Sequence, residues 1–113
     1  MNETEALLLS AAIEAPVAGL AVLLARWPCR GAVHVAAASA AATAVTHPQL
    51  WWAVLWAAEF WPRWLAVALP ETVVVLIEGA LIGWIAQMRL HQAMLASLLA
   101  NAASLLAGLL IQG

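Results

Sequence analysis

The chain contains no lysine and no aspartate, and its ten charged side chains, six glutamates and four arginines, make up only 9% of 113 residues. Soluble domains carry roughly 25% charge, so this sequence has too little to clothe a water-facing surface. With 66% hydrophobic residues and a mean hydropathy of +0.97 it falls in the membrane class, at a length sufficient for one membrane domain. The arginines form no cluster and the net charge is -2, which excludes the electrostatic footprint of a nucleic-acid binder. The lone Cys29 has no partner for an internal disulfide and cannot nucleate a thiolate metal site, so it reads as a small loop residue. No HExxH helix, CxxC pair, phosphate loop or nucleophile beside a base is present. Enzyme activity is therefore not expected, and the sequence leaves any cofactor or metal open. The start, MNETE, lacks the positive n-region of a secretory signal, so the first apolar run is expected to stay in the mature protein.

What the chain has in abundance is apolar runs of membrane length. From Pro70 to Arg89, PETVVVLIEGALIGWIAQMR, twenty residues at about 1.5 Å each match the ~30 Å hydrocarbon core of a bilayer. Glu78 lies near the centre of this run and Glu71 at one end. A carboxylate at mid-depth costs at least ~2.5 kcal/mol on insertion scales, so Glu78 marks a functional-site candidate that needs a partner.

The expected fold is an all-α membrane protein of four transmembrane helices arranged as two antiparallel hairpins. The spans are residues 6–25, 31–47, 66–88 and 91–111. The first holds Glu14 and Pro16 and ends at Arg26-Trp27-Pro28. The second is almost pure Ala, Val, Ser and Thr, side chains that let another helix approach closely, which places it inside the bundle. Thr46-His47-Pro48 is expected to end or kink it. Residues 49–64, with five of the seven tryptophans plus Glu59 and Arg63, read as a Trp-rich interfacial or shallow re-entrant segment. Continuation of the second helix past Pro48 is the competing reading.

Arg26 and Arg30 lie in the first turn and Arg89 in the third, on one side of such a bundle. The positive-inside rule then puts the turns in the cytoplasm and both termini outside, in a multi-pass protein of the cell inner membrane. Counting from these arginines at ~1.5 Å per residue, Glu14, Glu78, Asn101 and Thr43 all fall roughly 16–20 Å from the cytoplasmic surface, close to the midplane. His47 and Glu71 come out near the outer surface, and His34 and His91 near the cytoplasmic one.

Four polar groups at one level suggest a proton- or cation-binding layer. Two carboxylates in a low-dielectric bundle repel when both are ionised, so one holds a proton or a cation sits between them. Asn101 and Thr43 would supply neutral oxygens, and His47 with Glu71 a relay at the outer mouth. The plainer reading is interhelical hydrogen bonding that holds a bundle or oligomer together, and for Glu71 an acidic first helical turn after Pro70. A weak internal repeat accompanies the layer. Ser39, Thr43 and Thr46 recur as Ser97, Asn101 and Ser104 at an offset of 58, each trio on one helix face, as parallel pseudo-repeats would give. Separately, Thr43, His47 and Trp51 resemble the small-residue, His, Trp spacing by which light-harvesting antenna helices hold bacteriochlorophyll. Pro48 directly after His47 departs from that pattern, and a capping or interfacial His is the ordinary explanation.

The function expected from these features is a small membrane transporter or channel subunit that handles protons or a cation through mid-membrane carboxylates. Four helices barely enclose a path, so a homo-oligomer is expected. The alternative is an accessory subunit of a larger membrane complex, respiratory or photosynthetic, with the Trp-rich segment docking on neighbours.

Overall fold

A computed structural model describes residues 2–112, with the side chain of Gln112 left aside. The chain forms four helices: α1 (Glu3–Ala25), α2 (Ala32–Ala57), α3 (Arg63–Ala86) and α4 (Leu90–Gln112). Among the described residues there is no strand. Asn2 starts α1 by accepting the backbone N–H of Glu5 at 2.8 Å. Arg26 and Gln87 end α1 and α3 in left-handed backbone, with φ of 56° and 54°, and their N–H groups close onto the carbonyls of Val22 and Gly83. The turn after α1 is pinned to the end of α3 by a hydrogen bond from Arg30 N to Ala86 O at 2.8 Å.

The second helix differs from its expected bounds. It runs on through Pro48 to Ala57, so the predicted interfacial segment 49–64 is not an element of its own. Its first nine residues complete α2, residues 58–62 form the connection, and Arg63 and Trp64 open α3. Pro48 removes one backbone donor, a loss that membrane helices tolerate where neighbours re-satisfy the freed groups. The continued helix lines a surface groove, Leu50, Ala53 and Trp56 standing across from Leu69, Val73 and Ile77 of α3, and buries Ala57. Similarly, α3 starts earlier than residue 66 and ends at Ala86, leaving Met88 and Arg89 in the turn.

Three helices, α1, α3 and α4, are long and apolar enough to cross a membrane. Length alone does not disqualify α2; its His, Thr, Pro and Gln lower its apolarity. Each helix packs on two others, α1 on α2 and α4, α3 on α2 and α4, in a bundle 42 × 23 × 20 Å. The interior is built from small side chains. Ala18, Ala38, Ala86, Ala93 and Ala100 are buried beside Val22, Val35 and Ile82 at the arginine-bearing end. The large apolar residues face outward, with Leu24 and Leu110 more than four-fifths exposed. Such a distribution inverts that of a water-soluble bundle and suits an acyl-chain solvent.

At two glycines α3 and α4 approach closely. A Cβ on Gly79 would lie 2.5 Å from Met94 Sδ and 3.1 Å from Met94 Cα, and one on Gly83 would lie 3.2 Å from Ala93 Cβ. The Gly79-x-x-x-Gly83 spacing thus forms a groove into which α4 settles directly beside Glu78.

Candidate functional site

Glu78 is 1% exposed and is held from two sides. Its Oε2 accepts a hydrogen bond from Asn101 Nδ2 of α4 at 2.9 Å, and its Oε1 lies 2.7 Å from Thr46 Oγ1 of α2. Asn101 is fixed in turn by donating to Ser97 O at 2.8 Å, and Ser97 Oγ donates across to Val75 O of α3 at 2.9 Å. The Thr46 contact carries more information. Its hydroxyl has one proton, yet it sits 2.9 Å from Ala42 O as well as 2.7 Å from Glu78 Oε1. An ionised Glu78 makes these two acceptors compete for one proton. A proton on Glu78 Oε1 satisfies both, Glu78 donating to Thr46 and Thr46 donating to Ala42, in the back-bonded geometry common for helical threonine.

Glu14, brought in by α1, is 3% exposed. Its carboxyl lies within interaction range of Glu78 and of the Thr43 hydroxyl. With both carboxyls ionised neither has a proton to offer, and Glu14 Oε1 and Thr43 Oγ1 stand buried without a partner. A proton on Glu14, donated to Glu78, would join them. Glu71 is near enough to both Glu14 and Glu78 to repel them when charged. Among the described residues, no three His, Cys, Asp or Glu side chains converge at metal-ligand spacing.

These groups line a cavity of about 1000 Å³. Glu14, Thr43, Thr46, Glu78 and Asn101 form its polar part. Its apolar walls are Leu50, Trp51 and Val54 of α2 with Leu105 and Leu109 of α4, and the exposed Arg63 and Trp64 lie at its rim. Ser104 Oγ donates to Ser10 Oγ at 3.0 Å, tying α4 to α1 along the same cavity. This is a lone neutral pair in a half-buried place, so Ser104→Ala is expected to lower unfolding free energy in detergent by about 0.6 kcal/mol or less.

Glu14, Glu78, Asn101 and Thr43, grouped by depth in the sequence, come together around one space. His47 and Glu71 line the same space, but His47 is not near the helix end. It is 8% exposed, with Nδ1 unpartnered, and follows Thr46, which contacts Glu78. Its count of seventeen residues from Arg30 is unchanged, while the helix runs further than expected past that level. With α2 continuing to Ala57, the helix end lies ten residues beyond His47. His47 stands beside Trp51, ring centroids 6.4 Å apart, and both face the cavity. Sequence reasoning missed Thr46 as the group on Glu78, treating it as one more small polar residue, and missed the glycine groove, whose signal was the four-residue spacing beginning one position after Glu78. No family model matches this chain, and no curated protein or solved structure matches it.

Proposed function

We propose that this chain is a multi-pass membrane protein that carries protons or a monovalent cation, with Glu14 and Glu78 as the binding carboxyls. The observation that supports it most is that two buried glutamates from different helices face one large cavity and have between them fewer hydrogen-bond donors than their oxygens need. Interhelical bonding alone accounts for Glu78, which has Thr46 and Asn101. Glu14 Oε1 has no such donor in place and is left to a proton or a bound cation, since in hydrocarbon-like surroundings it is costly to leave unpaired. Thr43 adds a neutral oxygen and Asn101 a donor that holds Glu78, while Glu71 and His47 offer protonatable groups along the same wall.

In this reading the helices form two antiparallel hairpins, which the lateral contacts Arg30 to Ala86, Asn101 to Glu78 and Ser104 to Ser10 favour. Arg26, Arg30 and Arg89 set the sealed, alanine-packed end in the cytoplasm of the inner membrane, both termini outside, and the mouth of the cavity outward. Four helices of one chain already surround the carboxyls, so a homo-oligomer is not needed to complete the site.

The test is flux in liposomes reconstituted with the purified protein. Imposed gradients of protons, sodium or potassium are expected to drive flux above that of protein-free vesicles, and Glu14→Gln to remove it. Absence of flux under every gradient, together with larger subunits that co-purify, would replace this proposal with an accessory role in a membrane complex.

A further inference from the structure

We infer that the cavity binds a monovalent amphiphilic organic cation, a protonated amine with an apolar body, its head group at Glu14 and Glu78. This rests on the cation-site reading of those carboxyls and specifies what fills the space beside them.

A proton or bare alkali ion leaves about 1000 Å³ of cavity without a role, whereas that volume is the size of a drug-like ligand site. The chemistry of the lining is divided accordingly. At the polar part, Glu14 Oε1, Thr43 Oγ1 and His47 Nδ1 are buried and unpartnered, a set that suits the several N–H donors of one ammonium group. The walls offer Trp51, Val54, Leu105 and Leu109, which fit an alkyl or aryl body, and Trp51 is the aromatic group next to His47 on that wall.

A second feature separates an amphiphile from a hydrophilic amine. On the outer side of α2 and α3 lies a groove of about 500 Å³, lined by Ala53, Trp56, Leu69, Val73 and Ile77. Thr46 and Leu50 line both this groove and the main cavity. A single layer of side chains therefore separates the carboxyl pair from the apolar exterior of the bundle, and one of the two, Thr46, contacts Glu78 itself. A compound that partitions into acyl chains reaches the site through that layer.

Competition for the same carboxyl oxygens sets the stoichiometry. The groups facing the head are Glu14 on α1, His47 on α2 and Glu71 with Glu78 on α3; Arg63 lies at the rim, Glu3 acts on His47 from the start of α1, and α4 contributes only neutral Asn101 and Ser104. With the Glu14 proton donated to Glu78, an entering ammonium takes that proton's place, and one proton leaves for each amine bound.

The experiment is calorimetric titration of the full chain in mild detergent with 4-phenylbutylammonium, in two buffers of different ionisation enthalpy so that released protons are counted. Saturable binding with release of about one proton is expected, because the two cations compete for one carboxyl pair. Glu14→Gln is expected to weaken binding by about 30-fold or more, the loss that accompanies removal of one partner from a buried charge pair, and to abolish proton release. Trp51→Ala, which keeps the carboxyls, is expected to weaken it roughly 5-fold. Equal binding of 4-phenylbutanol, or binding without proton release, would overturn the inference. Ion flux that stops in Glu14→Gln while the amine neither binds nor slows it would sink the amine and spare the carboxyl site; absence of both flux and amine binding would sink the two together.

Discussion

Glu78→Gln is expected to leave the protein folded while bringing flux down to the level of protein-free vesicles, whereas Glu78→Ala is expected to lose flux and also about 1–3 kcal/mol of stability. The contrast follows from the proton count around Thr46. Asn101 donates to one oxygen of Glu78, and the other oxygen faces a threonine hydroxyl whose single proton is also within reach of Ala42 O. A glutamine side chain meets both demands at once, its oxygen accepting from Asn101 and its amide donating to Thr46. It reproduces the protonated glutamate in shape and in hydrogen bonding, and cannot give up the proton. Alanine leaves the Thr46 hydroxyl and the Asn101 amide facing a void, with a missing carboxyethyl group's worth of packing at one of the most buried points of α3. Thermal unfolding in detergent separates the two variants, and liposome flux joins them. A Gln variant that melts as early as the Ala variant would mean that Glu78 is ionised in the resting protein, and a Gln variant that retains flux would remove Glu78 from the site.

The number of helices, the short turns at the arginines and the meeting of Glu14 with Glu78 were legible in the sequence, for one reason. Arg26, Arg30 and Arg89 mark a common level, and helical rise converts residue counts into depth. Rotation about each helix axis was not legible. In soluble helices an apolar stripe reveals the buried face; here apolar side chains surround every helix, so nothing in the pattern says whether Thr43 or Thr46 turns toward Glu78. Pro48 misled for a related reason. In water a proline that follows threonine and histidine at the end of an apolar run is a good stop signal. In this bundle the packing of Leu50 and Ala53 against α3 and the burial of Ala57 accompany the one lost hydrogen bond, and the helix end lies ten residues beyond His47, which lines the wall beside the carboxyls. Function remained a question of what the gathered groups leave unsatisfied, which only the positions of Glu14 Oε1, Thr43 Oγ1 and His47 Nδ1 bring out.

Gly79→Leu is expected to be the most disruptive single substitution in the chain, costing about 3 kcal/mol or more and dismantling the carboxyl site from its neighbour. The first added carbon alone would stand 2.5 Å from Met94 Sδ and 3.1 Å from Met94 Cα. The sulfur belongs to a flexible side chain and can swing away. The backbone of Met94 cannot, so α3 and α4 must separate at this level. Glu78 is the adjacent residue, and its bond to Asn101 spans the same interface, as does Ser97 to Val75. Separation there stretches both. Graded variants distinguish this cause from a general dislike of larger residues in the helix. Gly83→Ala presses most closely on the Ala93 Cβ, at 3.2 Å, and is expected to cost less than Gly79→Ala, and Gly108→Ala, with nothing within 4 Å, is expected to be neutral or to gain up to ~1 kcal/mol from helix propensity. Met94→Ala added to Gly79→Ala removes the sulfur but leaves the α4 backbone pressed against the new methyl group, so it is expected to restore part of the lost stability and not all of it. Full rescue by Met94→Ala would show that backbone approach at Gly79 is not what holds α3 against α4, and equal losses at all three glycines would point to helix propensity instead of packing as the quantity being measured.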